Sequence, residues 1–284
     1  MNMTSKNTIF VTAAAWQDWQ VKTDVIRRSA EKRGIDLILF DAGKPWYNYY
    51  ENKIVHLRKW LLDYSRHRPE IEYMVFADAR DAVFVKERDE ILALCRQFDD
   101  ERVWFNADKP MYPWPVQAAW FASRIALKYG AAGIANSGVY AGRIDRILEL
   151  WNRCIDIHCF FSGNESKPGS IEQLIKEAIN DTPGSRFRMR RCSGAEACLG
   201  SDQFHVQVLQ AKWDDIVAVD TNRTAFAAFS DDWPTLSNRQ CSGLMPLGTA
   251  GILHSPWLFP RTKMHEPNNA DGWRQWAVRE KIID

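Results

Sequence analysis

The sequence lacks a long hydrophobic segment, a secretory signal and an excess of charge. No apolar run approaches the ~18 residues that a membrane-spanning helix needs, and Met1 to Asn7 are polar, unlike the start of a signal peptide. The 37 Lys and Arg residues nearly balance the 36 Asp and Glu residues, giving a net charge of +1. This balance excludes a strongly basic nucleic-acid coat protein and an acidic disordered tail. We therefore expect a soluble, cytoplasmic protein without a membrane span.

The six cysteines do not form a metal-binding pattern. None belongs to a Cys-x-x-Cys motif, so a zinc cluster is not expected. In a reducing compartment the thiols stay free, and Cys192 and Cys198 would pair only in an oxidising one. Tryptophan is abundant, with 13 residues. Tryptophan rings suit core packing as well as stacking on a flat ring or a sugar, and composition does not choose between these roles.

The first half of the chain alternates between β-rich runs and amphipathic helical patterns. Such alternation predicts an α/β fold with a mostly parallel sheet flanked by helices. The predicted strands are Ile9–Thr12, Leu37–Phe40, Tyr73–Phe76 and Val103–Phe105, and the predicted helices are Asp18–Arg33, Asn52–Tyr64 and Arg88–Phe98.

The second half is less regular. Its predicted strands are 134–140, 216–219 and 251–253, and its predicted helices are 144–157, 171–179 and 202–211. Residues 162–199 are rich in Gly, Ser and Pro at both ends and contain a basic run, so we predict an irregular insertion that orders over the acceptor when substrate binds. With 284 residues and 46% hydrophobic residues, we expect one domain over 1–284 that carries this insertion.

The most informative segment is Tyr73–Phe84, where an apolar strand leads into two acids three positions apart. Ligands of open α/β sheets bind outside the carboxyl ends of the strands, so Asp78 and Asp81 lie where a site is expected. Paired carboxylates there can hold a hard divalent cation and leave positions for phosphate oxygens. Arg80 between them can balance their charge or reach a phosphate. The alternative is a simple turn in which Arg80 neutralises the pair.

Three further segments place polar groups at the ends of predicted elements. The glycine in Asn136-Ser137-Gly138 indicates close approach of a ligand or another backbone to the strand, or a β-bulge without a ligand. Asp202 opens a helix, near the positive end of its dipole, and its alternative role is that of an N-cap. His254 ends a late strand, either as a third metal ligand or as a structural residue.

Together, and in this order, these segments resemble the glycosyltransferase domain of the procollagen lysyl hydroxylases and the related procollagen galactosyltransferases, which belong to the GT-A class of nucleotide-sugar transferases. The resemblance covers most of the chain and is most specific in the Asp-x-x-Asp and Asn-Ser-Gly segments. The matching residues are 9–15, Lys53, 76–84, 103–110, 136–140, 201–203 and 252–254. The chain departs from the family at 49–52, where a glycine run is missing, and at 255–257, after which Lys263 is the candidate substitute contact to the diphosphate.

The resemblance implies a nucleotide-sugar donor, a UDP-sugar, whose diphosphate is carried by Mn²⁺ or Mg²⁺. The implied metal ligands are Asp78, Asp81 and His254. The implied donor-side residues are Thr12 and Ala13 near the uracil and ribose, Lys53 near the donor, Asn136, Ser137 and Gly138 facing the sugar and the acceptor, and Gln203 beside Asp202 near the transferred sugar. Arg80 joins them through the motif itself. The acceptor stays open among a glycan, a protein and a modified nucleic acid.

The expected mechanism follows from charge. Breaking a sugar–phosphate bond develops positive charge on the sugar and negative charge on the leaving diphosphate, which a metal, Lys53 or Arg80 can stabilise. An acid near the anomeric carbon takes the proton of the acceptor or shields the positive sugar. Asp202 is the first candidate for this acidic residue, and Asp108, after the fourth strand, is the second.

Other classes of function stay open. The basic run Arg186–Arg191 contains Phe187, which can stack on a base while the arginines contact phosphates, although such a run is also typical of a solvated loop. It fits a nucleic-acid-associated protein, including a transferase that acts on a modified base. A phosphohydrolase with Asp78 as nucleophile is a further class, but the sequence has no matching nucleophile elbow. A sugar-nucleotide binder without catalysis also remains.

Overall fold

The computed structural model describes residues 1–108, 125–130, 133–162, 199–212, 215–228, 250–254, 274, 277–278 and 281–284. The strands are β1 Thr8–Ala13, β2 Leu37–Phe40, β3 Tyr73–Ala77, β4 Ala82–Phe84, β5 Val103–Asp108, β6 Ile134–Arg143, β7 Val217–Asp220, β8 Phe226–Ala228 and β9 Ile252–His254. The helices are α1 Trp19–Lys22, α2 Asp24–Lys32, α3 Leu57–His67, α4 Arg88–Cys95, α5 Ile144–Ser162 and α6 Asp202–Lys212, with a π-helical turn, Glu51–His56, directly before α3.

A six-stranded sheet in the order β2-β1-β3-β6-β5-β7 forms the centre of the fold. The pairs β1–β2, β1–β3 and β5–β7 are parallel, and β6 runs antiparallel to both of its neighbours, β3 and β5. Five of these strands therefore point the same way. The predicted α/β fold, a mostly parallel sheet flanked by helices, is confirmed.

The side chains of the central strands pack alternately into two hydrophobic clusters, one on each face of the sheet. Ile9, Val11 and Phe76 face one side, where α3, α5 and α6 cover the sheet. Phe10 and Val75 face the other side, where α2 and α4 pack. Because side chains of a strand alternate between its faces, both faces are buried, as expected for a sheet with helices on each side.

A second, three-stranded sheet in the order β4-β9-β8 completes the second face. Phe84 of β4 meets Phe10 of β1 edge to face, with the ring centroids 5.8 Å apart. Only residues 78–81 separate β3 of the large sheet from β4 of the small one. The two candidate acids therefore lie in the short link between the two sheets.

The predicted helix Asp18–Arg33 is wrong in its continuity, because the structure divides it into α1 and α2 at Thr23. The Thr23 hydroxyl donates a hydrogen bond to the Trp19 carbonyl over 2.8 Å, and the backbone of Thr23 leaves the helical region at φ −104° and ψ 5°. Such back-bonding by a Thr hydroxyl bends or interrupts helices. The predicted helix 171–179 and the segment 163–198 lie outside the described residues. No helix of the described ranges is long and apolar enough to cross a membrane.

Candidate metal centre and its surroundings

Two acids and a histidine meet at the carboxyl edge of the central sheet. Asp78 directly follows β3, Asp81 directly precedes β4, and His254 pairs with Ala82 across the small sheet. His254 Nε2 lies 3.5 Å from Asp81 Oδ1 and 3.7 Å from Asp78 Oδ2. One potential ligand atom from each of the three residues lies within 4.8 Å of the others. This spacing suits three side chains that share one cation.

The imidazole of His254 packs directly against the backbone of Gly138. A Cβ atom at position 138 would lie 1.9 Å from Cε1 of the ring, which leaves no room for any side chain. Gly138 also ties β6 to the site, because its carbonyl accepts a 2.7 Å hydrogen bond from the backbone N–H of Asp78. The group that approaches this glycine closely is therefore the side chain of His254, whereas a ligand or another backbone was expected.

Asn106 holds the other side of the same ring. The β5–β6 register shifts between Phe105 and Asn106, and Asn106 Oδ1 accepts the backbone N–H of Val139 over 3.2 Å. This bond turns Nδ2 of the amide toward His254 Nδ1, 3.2 Å away. Sequence reasoning missed Asn106; the signal was an amide inside the otherwise apolar strand Val103–Ala107.

The electrostatics of the site shift the pKa values of its two carboxyl groups in opposite directions. Burial raises the pKa of Asp78 to about 6, with Lys53 opposing the rise and Asp81 adding to it. Burial also acts on Asp81, but the charges of His254, Lys53 and Arg80 outweigh it and lower the pKa of Asp81. For His254 burial is outweighed by the two acids, so the pKa of its imidazole is raised. Neighbouring acids in a buried site favour a bound cation.

These three residues fit a divalent metal ion. His254 Nε2 is buried, points toward the acids and has no hydrogen-bond partner within the described part of the chain. Two carboxylates and one imidazole supply oxygen and nitrogen donors of the kind that Mn²⁺ accepts, and Mg²⁺ takes the same carboxylates together with phosphate oxygens. Both acids keep about a fifth to a quarter of their side-chain surface exposed, 21% for Asp78 and 27% for Asp81, so a ligand can reach them.

Lys53 links the candidate metal centre to Asp202. The π-helical turn directs Asn52, Lys53 and Ile54 into the protein, and π-helical turns are frequent at functional sites. The ammonium group lies 2.8 Å from Asp78 Oδ1 and 2.7 Å from Asp202 Oδ2. It also donates to the carbonyl of Ser137 over 3.2 Å. Despite burial, the two carboxylates raise the pKa of Lys53, so it carries its charge.

Asp202 is buried at the first position of α6. The residues just before it are held in place, because the backbone N–H of Tyr50 donates to the Gly200 carbonyl over 3.0 Å. The Tyr50 ring stacks on His205 of the same helix, with the ring centroids 4.9 Å apart. Gln203, the next predicted residue, is half-buried on α6.

Two predicted residues lie where β1 ends beside the acids. Val11 pairs with Phe76 of β3, so Thr12 and Ala13 come level with the end of β3 and the start of the acidic link. Both residues are buried, and the Thr12 hydroxyl has no hydrogen-bond partner among the residues that the structure describes. An unpaired buried hydroxyl is costly, and a bound polar ligand would satisfy it.

The remaining predicted residues differ in how far the structure places them. Arg80 is exposed in the acidic link. Ser137 contributes its carbonyl to the site, through Lys53. Asp108 ends β5, which points the same way as β3, but its side chain lies outside the described residues. The basic run 186–191 and Lys263 also lie outside them.

Aromatic rings border the site on the side of β1. Trp16 and Trp46 are stacked, with centroids 4.8 Å apart, and Trp46 meets Tyr49 edge to face at 5.1 Å. Tyr49 is 49% exposed, and partial desolvation of its phenol, together with the charges of Asp78 and Asp81, raises its pKa to about 12. Sequence reasoning missed Tyr49, although it lies within the segment that replaces the family's glycine run.

Comparison with known proteins assigns no family. No protein-family model matches the chain, and no curated protein matches it. Among solved structures, the chain is similar to a glycosyltransferase involved in the glycosylation of the major capsid of PBCV-1. The two chains are 9% identical, the TM-score is 0.44, and the match covers 94% of this chain and 98% of the other. The procollagen-type family that the sequence resembles is not confirmed by these matches.

Proposed function

We propose that the protein is a metal-dependent glycosyltransferase of the GT-A class that moves a hexose from a UDP-sugar to a hydroxyl acceptor. The observation that carries this proposal is the convergence of Asp78, Asp81 and His254 on one point. They lie at the carboxyl edge of a mostly parallel sheet, where α/β proteins bind their ligands. The resemblance of the Asp-x-x-Asp and Asn-Ser-Gly segments supports the same reaction class.

The donor would be held by residues around the acidic link. Asp78, Asp81 and His254 would hold Mn²⁺ or Mg²⁺, and the ion would supply Lewis-acid stabilisation of the leaving diphosphate. Arg80 is exposed beside these acids and is a candidate cation for a phosphate oxygen. The unpaired Thr12 hydroxyl is a candidate partner for the nucleoside.

Asp202 is the proposed catalytic carboxylate. Its carboxylate is paired with Lys53, and it would accept the proton of an acceptor hydroxyl or shield positive charge on the sugar. Asp108 is the second candidate for this role. The residues proposed to line the sugar and acceptor side are Ala13, Asn136, Ser137, Gly138 and Gln203.

Thermal unfolding with a panel of nucleotides tests this function. UDP-glucose, UDP-galactose, GDP-mannose and UDP are each added with and without Mn²⁺ to the wild type and to Asp81→Ala. A bound ligand raises the melting temperature by mass action. We expect a Mn²⁺-dependent rise with UDP and at least one UDP-sugar that disappears in Asp81→Ala. The control Asp63→Ala removes an exposed acid on α3 and should keep the rise. A wild type that no nucleotide stabilises would contradict the proposal.

A further inference from the structure

The ammonium group of Lys53 is fully used inside the protein. An ammonium has three N–H donors, and three acceptors surround this one: Asp78 Oδ1, Asp202 Oδ2 and the Ser137 carbonyl, at 2.8, 2.7 and 3.2 Å. The side chain is only 3% exposed. The Phe76 ring lies beneath it, 5.2 Å from Nζ to the centroid, and further limits access. Contact with a donor phosphate would therefore require Lys53 to give up one of these partners.

The same three contacts join separate parts of the fold. Asp78 follows β3, Ser137 lies in β6, Asp202 opens α6, and Lys53 itself comes from the π-helical turn. Asp78 divides its two oxygens, with Oδ1 on Lys53 and Oδ2 on the side of His254. Lys53 can therefore keep its contact with Asp78 while the other oxygen is available to a metal ion. A partner on the second oxygen of a ligating carboxylate orients that ligand.

We propose that Lys53 is a positioning residue that fixes Asp202 beside the candidate metal centre, rather than a ligand of the donor diphosphate. This inference rests on the proposed function for the role of Asp202. Without the lysine, Asp202 would be a buried carboxylate without its ion-pair partner, and Asp78 would lose the same cation. Such a group turns away or takes up a proton, and either change removes it from catalysis.

The first test measures the linkage between Lys53 and Asp202 without any ligand. Melting temperatures are compared for Lys53→Met, Asp202→Asn and the double variant. Removing the lysine leaves the carboxylates of Asp202 and Asp78 without their cation, and removing the charge of Asp202 as well relieves part of this cost. We expect Lys53→Met to melt about 5 °C or more below the wild type and the double variant to melt above Lys53→Met. A double variant lowered by the sum of the two single shifts would overturn the proposal.

The second test separates positioning from donor binding. UDP affinity is measured at saturating Mn²⁺, together with the rate at which UDP is released from UDP-glucose and UDP-galactose in water. We expect Lys53→Met to bind UDP within about threefold of the wild type, because the lost contacts are internal. A direct charged contact to the diphosphate would cost about tenfold or more, and a loss of that size would overturn the proposal.

The rate of UDP release should fall about equally in Lys53→Met, Asp202→Asn and the double variant, because residues that act as a unit are not additive. A double variant slowed by the product of the two single effects would overturn the proposal. The controls are Lys59→Met, which removes an exposed lysine of α3, and Asp63→Asn.

Failure of the proposed function gives a different result. A wild type that does not bind UDP with Mn²⁺ contradicts the transferase, while the melting temperatures still decide whether Lys53 and Asp202 act as a unit. A wild type that binds UDP, with Lys53→Met weakened tenfold, keeps the transferase and makes Lys53 a donor ligand.

Discussion

At position 138 only glycine fits, because the His254 ring lies directly against the backbone there. Because an added Cβ would lie 1.9 Å from the imidazole, Gly138→Ala must displace the ring or the strand. We expect a loss of about 2 kcal/mol in the free energy of unfolding, in the range of overpacked cores. Mn²⁺ affinity should fall as well. Urea unfolding and a Mn²⁺ titration measure the two effects.

Gly142→Ala is the matched control for this substitution, because it lies on the same strand. Its Cβ would be 3.3 Å from Val103, a tight contact away from the histidine. We expect it to cost some stability and to leave Mn²⁺ affinity unchanged. Unchanged Mn²⁺ affinity in Gly138→Ala would show that the position of His254 does not matter for metal binding.

Asn106 offers a substitution that should strengthen the site. Its Oδ1 is committed to the Val139 N–H, so its Nδ2 faces His254 Nδ1 as a donor. A ligating histidine usually donates from its second ring nitrogen to an acceptor. In Asn106→Asp both carboxylate oxygens accept, one from Val139 and one from the ring, which leaves His254 Nε2 free for the metal.

We therefore expect Asn106→Asp to tighten Mn²⁺ binding by about tenfold, as measured by the electron paramagnetic resonance signal of free Mn²⁺. Asn106→Leu, which has a similar volume and no polar atom, should weaken binding. If Asn106→Asp binds Mn²⁺ no better than the leucine variant, the ring of His254 does not ligate through Nε2.

Among single residues, the candidate metal ligands were predicted from the sequence, and the side-chain contacts around them were not. Asp78, Asp81 and His254 were predicted as one metal group from an acid pair and a resemblance, and the structure brings them together. Asn106 and the exclusive use of Lys53 inside the protein were not predicted. Both depend on contacts between distant segments, such as Lys53 with Ser137 over 84 residues and Asn106 with His254 over 148, which no local pattern encodes.

Among the elements, the π-helical turn is joined to α5 and α6 by a stack of rings. Tyr50 stacks on His158 of α5, with centroids 3.7 Å apart, and on His205 of α6 at 4.9 Å. His205 Nδ1 lies 2.7 Å from the Ser201 carbonyl. The stack therefore connects the turn that carries Lys53 with the helix that begins at Asp202.

This stack predicts a loss of stability in acid. Burial lowers the pKa of His205 from 6.5 to about 4, with His158 adding to the decrease and Ser201 and Asp202 opposing it. The unfolded chain takes up a proton as the pH falls below about 6.5, whereas the folded protein does not until about 4. The contribution of the neutral ring is therefore complete above 6.5 and is lost on the way down to 4.

Between pH 7.5 and pH 5.0 this difference amounts to about 2 kcal/mol. Urea unfolding at the two pH values, in the wild type and in His205→Gln, measures it as the change that the variant lacks. His67→Gln, at an exposed position of α3, is the control. An equal loss in the wild type and in His205→Gln would contradict the assignment to His205.

Most strands that the structure describes were predicted from the sequence, and β4 and β8 were not. The strands β1, β2, β3, β5, β6, β7 and β9 lie where alternating or apolar runs predicted them, because each run is bounded by polar residues or glycine. β4 and β8 have three residues each, and their sequences alone did not predict them. They form because β9 lies between them and supplies the hydrogen bonds of both.

For the whole molecule, the position of the acidic link means that a metal bound there would connect the two sheets. Asp78 follows a strand of the large sheet, whereas Asp81 directly precedes β4 of the small sheet and His254 ends its central strand, β9. A metal that binds the folded protein at 100 times its Kd adds about 2.7 kcal/mol of stability. We expect Mn²⁺ to raise the melting temperature by about 5 °C and a chelator to reverse this rise. In Asp78→Asn we expect Mn²⁺ to leave the melting temperature unchanged.

The most direct measurement is a Mn²⁺ titration by equilibrium dialysis, with and without UDP, on the wild type and on Asp81→Ala. The proposed centre predicts one Mn²⁺ per chain and tighter binding when UDP is present, because linked ligands strengthen each other reciprocally. It also predicts a loss of about 100-fold in affinity in Asp81→Ala. A wild type that binds no Mn²⁺, or an Asp81→Ala variant that binds as tightly as the wild type, would contradict a metal centre formed by Asp78, Asp81 and His254.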